Sequence, residues 1–305
     1  MGKIDRREFL RRAGILAVTT AGLGIVGDDL LDVLQEAEAA TKPTLSVASG
    51  SGVETMVKKA IDGIGGIGKF VKKGQSVVIK PNLAWARTPE QAANTNPQVI
   101  KALINLCKSA GASRITVIDH TCDNASASFE MSGAKDAVAG TGARLLSADK
   151  KFMFRQISIP KGKLLKSDDC AREILDADVF INVPIAKVHG GAVMTASMKN
   201  LMGANFDRQN WHRLGLDQCI ADYSTAVKPN LIVLDAIRIL LTNGPKGPGK
   251  TKDVGQIIAG TDPVAIDAYA AKLLGLNPTE VKYISLAADH GLGQINLSKV
   301  NIKKA

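Results

Sequence analysis

From Thr44 onward, short runs rich in β-branched residues alternate with stretches of helical periodicity, and several of the runs are apolar at almost every position: Val77-Val78-Ile79, Ile115-Thr116-Val117-Ile118, Val179-Phe180-Ile181-Asn182-Val183 and Ile232-Val233-Leu234. A strand with one face in water alternates apolar and polar residues. A continuous run belongs to a strand covered on both faces, which in soluble proteins means a mainly parallel sheet between helical layers. Strands are expected at 45–48, 76–79, 114–118, 144–146, 156–159, 179–183, 231–234 and 256–259, and helices at 97–110, 132–139, 170–176, 193–202, 217–226, 263–274 and 279–288. Asn96 and Pro97 are a cap and a first-turn proline for the clearest helix, and Gly111 closes it. The expected fold is therefore α/β, with a mainly parallel open sheet and helices on both faces in three layers. Residues 40–305 fit a single domain of one lobe or two closely packed ones.

The first 39 residues read differently. Arg6-Arg7, then Phe9-Leu10, then an uncharged run over 13–27 resemble a twin-arginine signal sequence. That run has 15 residues against the roughly 20 of a stable transmembrane helix, so no membrane span is expected. Cleavage is expected after Ala39, with the protein exported to the periplasm or its equivalent by the twin-arginine machinery. The route implies a protein folded before export, often one carrying a cofactor.

Lys plus Arg exceed Asp plus Glu by 39 to 29, and the removed segment holds five of the bases and seven of the acids, so the mature chain is the more basic. The excess suits an anionic partner. Nucleic acid is disfavoured, because the 12 aromatics (seven Phe, three Tyr, two Trp) are not interleaved with the bases. The four cysteines, Cys107, Cys122, Cys170 and Cys219, include no C-x-x-C, which excludes a ferredoxin-type iron–sulfur cluster, c-type haem attachment and a zinc ribbon. They are either buried thiols or up to two disulfides. No cofactor is identified by the sequence.

In an open parallel sheet, ligands bind beyond the carboxyl ends of the strands. Four runs end in ionisable groups: Lys80-Pro81-Asn82, Asp119-His120, Pro184 with Lys187 and His189, and Asp235. Gly190-Gly191 would turn the chain into a helix carrying Lys199 and Asn200, whose free amino-terminal amides would suit an anion; the equal alternative is a core helix with Lys199 snorkelling. Asp262 is placed to cap the helix at 263–274, and Asp267 within it could partner a buried lysine. Gly244 with Gly249-Lys250-Thr251 spells a P-loop in letters, but Pro245 and Pro248 remove amides from the phosphate cradle and no apolar helix follows. The loop at 244–252 is better read as a flexible basic flap. No metal site is expected; if one exists, it would be assembled from Asp119, His120 and His189 on separate strands.

These residues, in this order, resemble the DUF362 family: Lys80 to Leu83, Thr95 to Pro97, Asp119, Asn182 to Pro184 with Lys187 and His189, Ser197 to Gly203, Asp235, and Gly260 to Asp267. The resemblance names no activity. Some members carry a ferredoxin-like cysteine module and redox roles have been suggested for them; this chain lacks that module.

The function expected is an exported protein binding an anionic small molecule or cofactor in a basic cleft, with redox or acid–base chemistry; an oxidoreductase is one class it admits. Lys80, Lys187 and Lys199 would hold the anion, Asn82 and Asn200 would orient it with Asp235 and Asp267 contributing, and Asp119 with His189 would move the proton, His189 foremost because imidazole titrates near neutrality. The alternatives are a non-catalytic periplasmic binding or accessory protein, with an exported redox complex as partner, and, more weakly, a metal-dependent hydrolase or isomerase.

Overall fold

The central strands of the sheet send alternate side chains into two different apolar cores. Val78, Ile118, Phe180, Ile232 and Leu234 enter one, packed by the helices Leu216–Ala226, Pro263–Leu273 and Lys282–Asp289. Val77, Ile79, Val117, Ile181 and Val233 enter the other, packed by Val53–Asp62 and Pro97–Ser109. Each buried aliphatic side chain contributes about 1.5–3 kcal/mol, so these two cores hold the sheet in place. This computed structural model describes residues 42–50 and 52–305. The signal-sequence reading and its cleavage point lie outside the described residues. From Pro43 on, the chain forms one compact unit.

The strands are β1 (Thr44–Ser49), β2 (Ser76–Pro81), β3 (Arg114–Asp119), β4 (Arg144–Ser147), β5 (Phe154–Ser158), β6 (Ser167–Ala171), β7 (Val179–Val183), β8 (Ile185–His189), β9 (Val193–Thr195), β10 (Leu231–Leu240), β11 (Thr251–Gly260) and β12 (Asn301–Lys304). The main sheet runs β12-β1-β11-β10-β7-β2-β3-β4, with β8 joined to β10 and β9 to β8. β10, β7, β2, β3 and β4 are mutually parallel; among the described residues, the antiparallel pairs of this sheet are those of β11 with β1 and β10 and the β8–β9 hairpin, and β5 and β6 form a separate antiparallel pair. The architecture is thus α/β, a mostly parallel mixed sheet between helical layers.

All eight expected strands occur, though β5 leaves the main sheet and pairs with β6 alone. The helix expected at 193–202 is corrected: 193–195 is strand β9, and the helix is only Ser197–Asn200, continued by a 3₁₀ turn, Leu201–Ala204. The cause is long-range. Asp267 accepts hydrogen bonds from Ser197 N (2.5 Å) and Met198 N (3.1 Å), which starts the helix there. Cys170 belongs to β6, leaving Arg172–Leu175 helical, and the helix at 132–139 shrinks to Ala134–Val138 after an unforeseen one, Ala125–Met131. The helix expected at 279–288 starts later, at Lys282–Asp289, after a 3₁₀ turn at Pro278–Glu280. All four cysteines are free thiols, with Cys107, Cys170 and Cys219 buried and Cys122 exposed. Among the described residues no helix is long and apolar enough to cross a membrane.

Candidate functional site

Parallel pairing of β7, β2 and β3 brings their carboxyl ends to one edge, where register sets Lys80 opposite Asn182 and Pro81 opposite Val183. β2 delivers Lys80, and β3 delivers Asp119. The two side chains are 1% and 2% exposed and meet at 2.7 Å. Asp119 is held from two further sides: Leu83 N donates to Oδ2 (2.7 Å) and His120 N to Oδ1 (3.0 Å). The turn carrying Gly203 passes so close that a Cβ there would lie 2.0 Å from Asp119 Oδ1 and 2.7 Å from Lys80 Nζ. Only glycine fits.

Three asparagines tie the elements together. Asn200 Oδ1 accepts from Asn82 Nδ2 (3.0 Å), and Asn200 Nδ2 donates to Asn182 Oδ1 (2.8 Å), joining the short helix to the strand ends. Asn82 Oδ1 in turn accepts from Lys187 Nζ (3.1 Å), which also donates to the Ala93 carbonyl. Lys187 and His189 do not sit in a loop after β7, as their position suggested. After Pro184 the chain resumes as β8, which pairs with β10 and aims both residues at the same edge.

The result is a cavity of about 380 Å³, within the range of small-molecule sites. Lys80, Asn82, Asp119, His120, Lys187, His189, Lys199 and Asn200, all singled out from sequence, line it together. Asp235 and Asp267 do not. They brace the wall from behind, Asp235 accepting from Asn96 N (2.8 Å) and Ile237 N (3.0 Å), and Asp267 from the helix amides that were candidates for an anion. Among the described residues no lysine partners Asp267 as that position suggested. Burial pushes Asp235 up to about 6 and Asp267 up to about 7.

Sequence reasoning missed Arg208, Cys122, His212 and Trp85, which also line the cavity. Arg208 clamps the loop after β3, donating to the carbonyls of His120 (2.6 Å) and Thr121 (2.9 Å) and reaching Cys122 Sγ (3.4 Å). It opens a seven-residue helix whose cap, Asp207, is a signal for a helix but not for a site. Pro245 lines the cavity too, and its loop is tied down: Gly244 O accepts from Gly190 N (3.3 Å), while Lys246 pairs with Asp123 (3.0 Å) over the Trp85 ring.

The electrostatics are dominated by burial of like charges. Lys187 is pushed down to about 7 by desolvation and then by the charge of Lys199, and Lys199 to about 8, again by desolvation first. Lys80 is lowered by the same cause, against the pull of Asp119. His189 falls to about 3 through burial and the two lysines, so it is neutral at pH 7. Its Nδ1 accepts from Gly191 N (2.9 Å) and Ala192 N (3.2 Å), which assigns the ring proton to Nε2. His189 is therefore a hydrogen-bond donor to the cavity. His120 is the opposite tautomer: Nδ1 lies 2.9 Å from the Asn205 carbonyl, which can only accept, leaving Nε2 as an acceptor. Among the described residues no hydrogen bond joins Asp119 to His189, and no three His, Cys, Asp or Glu side chains assemble as metal ligands: Asp119, His120 and His189 line one cavity without forming a ligand cluster.

A family model described as Domain of unknown function (DUF362) matches residues 77–272. Over 253 residues the chain is 29% identical to a thylakoid-associated protein of Synechocystis sp., covering 78% of this chain and 74% of that one. Among solved structures it is similar to the lactate racemase apoprotein of Thermoanaerobacterium thermosaccharolyticum, at 12% identity and a TM-score of 0.46 over 74% of this chain. A protein from Thermotoga maritima is similar at 10% identity and a TM-score of 0.42 over 73%. The chain spans only 56% and 59% of those two structures.

Proposed function

Since the chain belongs to the DUF362 family, whose description assigns no activity, we propose from its cavity that it binds a small anionic molecule there and carries out acid–base chemistry on it. One observation carries this reading: among the described residues three buried lysines share a cavity with a single carboxylate, Asp119. Two surplus buried charges are costly. The protein relieves them by holding Lys187 and Lys199 partly deprotonated, and an anion relieves them by pairing. Binding and proton uptake are therefore the same event. Of the redox and acid–base chemistries open to the sequence, acid–base has the supporting groups, because two amines titrating near neutrality sit with a donor imidazole, His189, and an acceptor imidazole, His120.

Calorimetry with oxalate and phosphate at pH 7 tests this. Binding is expected to take up protons, seen as a heat that depends on the buffer's ionisation enthalpy. Lys187→Met and Lys199→Met should each weaken binding about tenfold or more, as expected for loss of a charge-assisted hydrogen bond. A wild-type protein that binds neither anion, or variants that bind as well as wild type, would remove the basis of the reading.

Export by the twin-arginine route belongs to the same proposal and rests on Arg6-Arg7 before the apolar run 13–27. Replacing both with lysine is expected to leave the precursor in the cytoplasm. Undiminished export of the double variant in cell fractionation would count against it.

A further inference from the structure

The three lysines of the cavity are not equivalent. Lys80 has a carboxylate at 2.7 Å and the Pro81 carbonyl at 2.9 Å; Lys187 has Asn82 Oδ1 and the Ala93 carbonyl. Both are held by oxygen acceptors. Lys199 is 8% exposed and lines the cavity, yet its hydrogen-bond partner is the thioether of Met202, at 2.8 Å. Sulfur of that kind is a weak acceptor. Among the described residues no oxygen acceptor holds its ammonium.

The surroundings disfavour it further. Burial first, then the charges of Arg208 and Lys80, outweigh the opposing pull of Cys122 and Asp217 and bring Lys199 down to about 8. At pH 7 about one molecule in ten then carries the free amine, against about one in three thousand for a lysine at the ordinary 10.5. A desolvated lysine beside other cations is the arrangement that activates an amine toward carbonyl carbon.

We infer, on the anion-binding reading above, that Lys199 forms an imine with a small carbonyl compound that carries a carboxylate or phosphate. Lys80 and Lys187 hold the anionic group. The Nζ lone pair forms the C–N bond as the carbonyl π pair moves onto oxygen; the nitrogen loses one proton and that oxygen gains one, giving a carbinolamine, and a second proton on its hydroxyl lets the nitrogen lone pair break the C–O bond and expel water. Amine, carbonyl and one proton become a protonated imine and water. His189 donates its Nε2–H to the carbonyl oxygen, and Lys187, which titrates near 7, supplies the proton. A protonated imine acidifies the adjacent C–H bond, and His120 Nε2 is an acceptor on the same wall.

The test is reductive trapping on the full chain. Protein at pH 7.5 is treated with glyoxylate, glyceraldehyde 3-phosphate or acetaldehyde, reduced with cyanoborohydride and mapped by peptide mass spectrometry. The Lys199 peptide is expected to carry the reduced adduct about tenfold or more above any other lysine peptide with at least one anionic carbonyl, because Lys80 and Lys187, themselves held by oxygen acceptors, keep the anionic group beside the Lys199 amine. Which of the two labels it identifies the anion as carboxylate or phosphate. Acetaldehyde should not label it preferentially, and Lys199→Arg should lose the selective adduct. Labelling spread evenly over surface lysines, or concentrated on Lys80 or Lys187, overturns the inference. Oxalate, which binds without offering an aldehyde or ketone, separates the two levels. Oxalate binding without a Lys199 adduct overturns the imine alone, whereas no binding and no adduct overturns both.

Discussion

Asp119→Ala is expected to destabilise the folded protein by about 3–5 kcal/mol, the cost of leaving one member of a buried ion pair alone. The loss is more than one contact. Lys80 loses its carboxylate, the Leu83 and His120 amides lose their acceptor, and three cavity lysines are left with no negative side chain among them. Lys80→Met combined with Asp119→Ala should be milder than Asp119→Ala alone, because removing both charges leaves neither uncompensated. Gly203→Ala attacks the same pair sterically, since its methyl would have to displace Asp119 Oδ1 from 2.0 Å and Lys80 Nζ from 2.7 Å. An overpacked site of this kind costs about 1–3 kcal/mol. Urea unfolding of the four proteins measures all of this. A single Asp119→Ala variant within about 0.5 kcal/mol of wild type, the range of an ordinary surface substitution, would show that the pair is not the keystone of the strand ends.

What could be read in advance follows the range of the interactions involved. A run such as Val77-Val78-Ile79 announces a strand buried on both faces, and the polar residue that ends it announces the sheet edge; Lys80, Asn82 and Asp119 reach the cavity for that local reason. The same rule cannot tell a carboxylate facing a ligand from one facing backbone amides. Asp235 follows its apolar run just as Asp119 does, but its oxygens hold Asn96 N, 139 positions away, and Ile237 N. Asp267 was legible as a helix residue among apolar neighbours, but its task, starting a helix 70 positions earlier, depends on tertiary placement. β8 was hidden because Lys187 and His189 look like loop residues after Pro184, and β12 because its four residues are all exposed. Arg208 was invisible for a related reason: in sequence it opens a helix that follows no strand directly, and only folding brings it to the end of β3.

Between pH 7 and pH 9 the ligand-free protein is expected to gain about 2 kcal/mol of stability net, the reverse of the usual decline on the alkaline side. Lys187 and Lys199 titrate near 7 and 8 when folded and near the ordinary 10.5 when unfolded, so across this window the unfolded chain binds more protons than the folded one. Stability then rises with pH, steeply from the folded pKa and levelling near the unfolded one. Below pH 7 the sign is mixed. Asp235 and Asp267, raised to about 6 and about 7, favour lower pH, whereas His189, lowered to about 3, favours higher pH. From about pH 8 the buried thiols of Cys107, Cys170 and Cys219, which ionise near 9 in the unfolded chain but are raised to about 12, 11 and 11 when folded, begin to oppose the lysines, and above pH 9 they take over more of the balance, so the net rise is confined to pH 7 to 9. Urea unfolding at both pH values should show the rise in wild type, a smaller rise in Lys187→Met and Lys199→Met, and none in saturating oxalate, because a bound anion keeps the ammonium forms in the folded state. A wild-type protein no more stable at pH 9 than at pH 7 would mean that these lysines are already neutralised by something other than burial, and would remove the electrostatic argument for an anion in the cavity.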